Sequence, residues 1–128
     1  MNLLNKIIED SKLNFLNNIE FIEKTPGRYF QKNKTLISDN EYQFYVVLGP
    51  NVESPIHNHV GQNMEETHKL LYGSGKFIIY RDNGKTEQLE LKLNEFHPIF
   101  SDMQNTPDHK YIAGPKGSVT LALEKYLK

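Results

Sequence analysis

The sequence predicts an all-β domain, a small antiparallel sandwich or barrel behind an N-terminal helical lead-in. Three observations predict it. Apolar residues recur at helical spacing only near the N-terminus. Beyond residue 26 the period changes to two, in eight or so short segments separated by Gly, Pro and Asn-Gly turn signals. Strands do not alternate with long helical segments, which argues against a parallel sheet with crossover helices and for short antiparallel strands protected by closure. At 128 residues one domain is expected, a helical segment over 1–25 packed on a single barrel over 26–128.

In order, Leu3, Leu4, Ile7, Ile8, Leu13, Leu16, Ile19 and Ile22 lie on roughly one helical face, with Asn, Glu and Lys opposite. They predict one helix to about residue 23, or two short ones broken near Asp10-Ser11, stopped by Thr25-Pro26-Gly27. Arg28 to Ile37 reads as one or two short strands and Tyr42 to Leu48 as a strong one. Gly49-Pro50-Asn51 is a turn. Leu70 to Tyr72 and Lys76 to Tyr80 are expected as strands on either side of a Gly73-Ser74-Gly75 hairpin turn. That turn is not a phosphate loop, because no Lys-Ser/Thr pair or helix follows it. Asp82-Asn83-Gly84-Lys85 signals a hairpin through Asn-Gly. Leu89, Leu91 and Leu93 alternate on a half-buried strand, and His97 to Phe100 is another. After a loop from Ser101 to Asp108, strands are expected from His109 to Ala113 and over Val119, Leu121 and Leu123, with Gly114-Pro115-Lys116-Gly117 as the turn between.

Composition removes several function classes. With no cysteine there is no disulfide, thiolate metal site or cysteine nucleophile. A net charge of -1 and scattered lysines give no basic stripe, so neither nucleic acid nor an anionic membrane surface is expected as partner. Early Asp and Glu and the lack of a long apolar run argue against a secretory signal or a spanning helix. A cytoplasmic location is the default expectation.

The chemistry concentrates around Pro55-Ile56-His57-Asn58-His59. Residues i and i+2 of a strand point to one face, so His57 and His59 can converge as imidazole ligands of one ion. Glu66 and His68 share a face in the same way, and His109 opens a later strand after Pro107. His68 lines the same cavity, sits satisfied in the core, or acts as an acid/base group. Tyr111, on the face of His109, hydrogen-bonds a ligand or packs. His97 beside Pro98 is read as a surface strand residue without a role.

His-x-His, a following Glu, a glycine turn, and a distant histidine after a Pro-containing loop resemble the two motifs of the cupin superfamily, over roughly residues 42 to 125. The resemblance implies a small cupin-type barrel (a double-stranded β-helix or jelly roll) with His57, His59, Glu66 and His109 as ligands of a divalent metal inside it. The gap between His59 and Glu66 is slightly long, so the inward carboxylate is Glu65 or Glu66, and alignment on Gly73 favours Glu66. Within the cupins, the run from Gly49-Pro50 to His57-Asn58-His59 is similar, without a gap, to the Gly-Pro-x-x-x-Thr/Ser-Pro-Val-His-Asp-His run of cysteine-dioxygenase-like thiol dioxygenases. Lys69-Leu70-Leu71-x-Gly73 looks like their next strand. Tyr29-Phe30-Gln31 stands where they place Tyr-x-Arg or Tyr-x-Gln, which implies Gln31 as a substrate-binding residue. The chain departs from them in being much shorter and in having Glu66 beside the histidines. It also has Ala122 and Glu124 where a His and a Tyr of their Ser-His-Tyr triad would stand.

Neutral imidazoles suit Fe(II), Ni, Zn and Cu, with geometry and supply choosing among them. A bound Glu66 adds negative charge, which disfavours an anionic substrate and favours Mn(II) or Fe(II). The resemblance thus implies an Fe(II)-dependent dioxygenase, with Mn, Ni or Zn as the other metals, acting with O2 on a small molecule such as a thiol. It also implies a homodimer. Two other classes fit the same residues. One is a cupin isomerase or epimerase of a sugar or keto acid, with His68, His57 and Tyr111 as acid and base, and the other is a non-catalytic binding barrel.

Overall fold

Leu3–Ser11 forms α1, capped by the Asn2 side chain, whose oxygen accepts the Asn5 N–H at 2.8 Å. Lys12 ends it in the left-handed region at φ 60°, and a 3-10 turn follows over Asn14–Asn18. Ile7, Ile8 and Leu16 of this lead-in are buried against Val47 and Val119 of the sheet behind it. In this computed structural model residues 2–58, 64–81, 83–100 and 107–127 are described.

Helical order ends earlier than the spacing predicts. Phe21–Thr25 is strand β1, paired with β2 (Arg28–Gln31), and Pro26-Gly27 turns a hairpin between them instead of stopping a helix. Ile19 and Ile22 satisfy a helical period and Phe21-Ile22-Glu23-Lys24-Thr25 shows no apolar–polar alternation, so it is pairing with β2 that makes the segment a strand. Gly27 takes φ 81°, the conformation the turn requires.

The remaining strands are β3 (Thr35–Ser38), β4 (Glu41–Leu48), β5 (Met64–Tyr80), β6 (Thr86–Glu90), β7 (Phe96–Phe100) and β8 (His109–Tyr126). Their order is β1-β2-β4-β8-β5-β6, with β3 added to β4 and β7 to β5, and all of these pairs are antiparallel. The backbone of the loop before β5 joins in through isolated bridges from Glu53 to Ile112 and from His57 to His109. Among the described residues no helix is long and apolar enough to cross a membrane.

Two expected turns are not turns. Gly73-Ser74-Gly75 lies inside β5, and Gly114–Gly117 lies inside β8. The two strands stay paired on both sides, from Met64 opposite Tyr126 to Ile79 opposite His109, while the register jumps between Gly73 and Gly75. Gly73 and Gly117 have φ of 78° and 81°, and a Cβ on Gly73 would collide with the Gly117 carbonyl oxygen. A bulge with close backbone approach asks for glycine as a hairpin does, so composition alone does not separate them.

Strand parity divides the core in two. Phe44, Val46 and Leu48 face one side of β4 and pack with Leu70, Phe77 and Ala122 around an interior cavity. Val47, between them, faces the other side and meets α1.

Candidate functional site

The backbones of His57 and His109 hold each other in a reciprocal pair: the His57 N–H donates to the His109 carbonyl at 3.0 Å, and the His109 N–H to the His57 carbonyl at 2.9 Å. Their rings lie 4.4 Å apart, centroid to centroid. Each ring is anchored through Nδ1 to the carbonyl of the proline two residues before it, Pro55 at 2.8 Å and Pro107 at 3.0 Å. A carbonyl can only accept, so both Nδ1 atoms carry a proton, which in the neutral imidazole leaves Nε2 as the atom with the lone pair. The loops are tied together further by Asn58 Nδ2, which donates to Asp108 Oδ1 at 2.8 Å. Ser54 adds a clamp: its Oγ accepts the buried Tyr111 N–H at 2.9 Å, and its own N–H donates to the Tyr111 carbonyl at 2.8 Å.

The cavity beside this pair holds about 170 Å³. His57, Glu66, His68 and Tyr111 line it, with Phe30, Phe44 and Phe77 among the apolar walls. Glu66, not Glu65, is the carboxylate on the cavity face. It is buried, and His68 Nε2 donates to its Oε1. Phe77 stands among the rings, 5.1 Å from His68, 5.0 Å from Tyr111 and 6.3 Å from His109. Burial pushes the Tyr111 phenol up to about 12. The Ser118 hydroxyl opposes that shift without forming a hydrogen bond of standard geometry. At neutral pH Tyr111 is therefore a proton donor.

Of the residues predicted for the site, His57, Glu66, His68, His109 and Tyr111 come together here. His59 lies outside the described residues, and among those described no group of three or more His, Asp or Glu is arranged to hold a metal. Gln31 does not reach the cavity. Its amide nitrogen donates to Asn33 O and Thr35 Oγ1, and its oxygen accepts the Tyr45 N–H at 3.1 Å. His97 has a backbone role, its Nε2 accepting the Lys92 N–H.

Three charged cavity residues escaped the sequence reading: Lys24, Arg28 and Glu124. Glu124 is buried directly opposite Glu66 across the β5–β8 pair and is held by Lys34 Nζ at 2.6 Å. Alternation identified this strand, but its buried inward face is Thr120, Ala122 and Glu124, while Val119 points outward toward α1. The signals for Glu124 were its parity with Ala122 and its place at a triad position of the resembling dioxygenases.

No family model matches the chain, and no curated protein matches it in sequence. Solved structures do. Oxalate decarboxylase of Bacillus subtilis superimposes with a TM-score of 0.67 at 17% identity, covering 87% of this chain and 28% of that one. The chain therefore spans little more than a quarter of that enzyme. KdgF from Halomonas sp. superimposes with a TM-score of 0.63 at 11% identity, covering 88% of this chain and 90% of that one. The fold is the cupin barrel. His57, Glu66 and His68 line the interior cavity with the His109 ring beside His57, and the strands pair antiparallel as the sequence predicts.

The donors suit a divalent cation. Two imidazoles with fixed tautomers, each oriented by a backbone carbonyl, are the arrangement that metal-ligating histidines adopt. A buried carboxylate stands on the same cavity.

Proposed function

We propose that the cavity is a metal centre serving a reaction on a small molecule, with Nε2 of His57 and His109 as donors and His59 and Glu66 completing the set. The matched anchoring of two rings far apart in the chain carries this reading, because a proton held at each Nδ1 leaves Nε2 as the donor atom of the neutral imidazole without help from a ligand. A divalent ion, Fe(II) first and Mn, Ni or Zn otherwise, would supply Lewis acidity and open positions for substrate and, with iron, O2. Around it His68, steered by Glu66, moves a proton, and Tyr111 donates a hydrogen bond. Phe44, Val46 and Phe77 keep bulk water out. The finer assignment is a non-haem dioxygenase whose substrate is a small thiol, cysteine or a related thiol acid.

The Glu66–His68 contact favours a second reading, an isomerase or epimerase of a sugar or keto acid. A carboxylate-held imidazole beside a buried phenol is an acid/base set that needs no oxidant.

Anaerobic reconstitution with Fe(II) followed by metal analysis tests the first reading. Near-stoichiometric metal is expected in the wild type and its loss in the His57→Ala, His109→Ala double variant, with circular dichroism as the folding control. A wild type that holds no metal ends the metal reading, and a double variant that keeps it ends the ligand assignment. Oxygen uptake with a panel of small thiols then separates the dioxygenase from the isomerase.

A further inference from the structure

Lys24 and Arg28 line the cavity, and neither is paired with a carboxylate among the described residues. Arg28 and Phe30 alternate on β2 opposite Leu48 and Val46, the cavity face of β4, and Lys24 reaches the same cavity from the irregularity in β1 between Glu23 and Thr25. Both cations rest on the Phe30 ring, Lys24 Nζ 4.6 Å and Arg28 Cζ 5.1 Å from its centroid.

Arg28 is only partly satisfied by the fold. Its Nη1 donates to Thr25 Oγ1 at 3.2 Å, but its Nε–H is buried and meets no acceptor among the described residues. Buried donors on a charged group are costly to leave unmet. The cavity's own carboxylates do not meet it: Glu66 is engaged by His68 and Glu124 by Lys34. A charge count based on Glu66 alone disfavours an anionic substrate; Lys24 and Arg28 offset Glu66 and Glu124 on the same cavity, and Glu124 already has Lys34 as its partner.

We infer that Arg28, flanked by Lys24, is the docking point for a carboxylate of the ligand, so that the cavity takes a small organic acid in preference to a neutral molecule. The guanidinium fork offers the planar geometry a carboxylate matches, and Phe30 holds it in place. Gln31, on the opposite face of β2 from Phe30, cannot fill this role.

The inference rests on the cavity being a ligand site, but its test needs no bound metal. Metal-free protein labelled with 15N is titrated with propionate and, separately, with propionamide, a neutral ligand of nearly the same shape. Propionate is expected to shift the Arg28 Nε–H resonance and to bind about tenfold or more tightly than propionamide. Arg28→Gln and Lys24→Gln should each weaken propionate without changing propionamide, and Lys32→Gln, which removes a surface pair with Glu20, should change neither. Because the Nε–H shift is read in the wild type, the result stands even where Arg28→Gln folds poorly. Equal binding of the two ligands, or propionate saturation with the Arg28 Nε–H unmoved, overturns the inference, as does no propionate binding at all. Metal content plays no part in this readout, so failure of the metal reading and failure of the docking point are separate results.

Discussion

Gly73 and Gly84 provide an internal control for what the β5–β8 irregularity requires. Both sit at the same backbone conformation, φ 78° and 79°. A Cβ at Gly84, in the turn between β5 and β6, meets nothing within 4 Å. At Gly73 it would strike the Gly117 carbonyl oxygen, with the Gly117 carbonyl carbon at 3.0 Å and Ser118 Cα at 3.3 Å behind it. All three are backbone atoms of the paired strand, so no side chain can swing aside. Gly84→Ala therefore costs only the left-handed conformation, about 1 kcal/mol. Gly73→Ala costs that and the displacement of β8, on the order of a further 2 kcal/mol. For a chain of this length the two should lower Tm by roughly 4 °C and 10 °C. Urea and thermal unfolding followed by far-ultraviolet circular dichroism measures both. A Gly73→Ala variant within about 0.5 kcal/mol of Gly84→Ala would refute the close strand approach, since that approach predicts a gap of about 2 kcal/mol.

Two further substitutions probe the groups that hold the cavity together. Lys34→Ala removes the cation held 2.6 Å from buried Glu124 and should destabilise by about 2 kcal/mol, while adding Glu124→Gln should recover more than half; urea midpoints at neutral pH decide it, and no loss in the single variant contradicts the pairing. Ser54→Ala leaves the buried Tyr111 N–H without its acceptor, for about 1–2 kcal/mol and faster amide exchange at Tyr111, and unchanged exchange there would remove Ser54 as the clamp.

His57, Glu66 and His109 were singled out by their resemblance to two known motifs, and the i, i+2 spacing from Glu66 and from His109 added His68 and Tyr111. Lys24 was not legible, since its stretch continues a helical period without alternating and only pairing with Arg28–Gln31 makes it a strand. Arg28 was hidden for another reason: an arginine just after a Pro-Gly turn is ordinarily a solvated one, and its burial comes from Phe30 and the opposing strand β4. Gln31 was placed by resemblance rather than parity, and parity is what turns it away.

Parity also explains how one strand serves both halves of the site. His68 and Phe77 are an odd number of residues apart, which in an unbroken strand puts them on opposite faces. Yet both line the cavity. The register shift between Leu70 and Tyr72 resolves this: Leu71 and Tyr72 both pack on the outer side with α1, so the strand resumes with its faces exchanged. The Gly73–Gly117 approach then keeps β8 in step as it crosses from Thr120 and Glu124 to Tyr111 and His109. Remove the first irregularity and the Phe77 ring leaves the company of His68, His109 and Tyr111. The Leu70–Tyr72 shift, inside a segment the sequence presents as strand, and the Gly73–Gly117 approach, in segments it presents as turns, are what allow β5 and β8 to present Glu66, His68, Phe77, Tyr111 and Glu124 to one cavity.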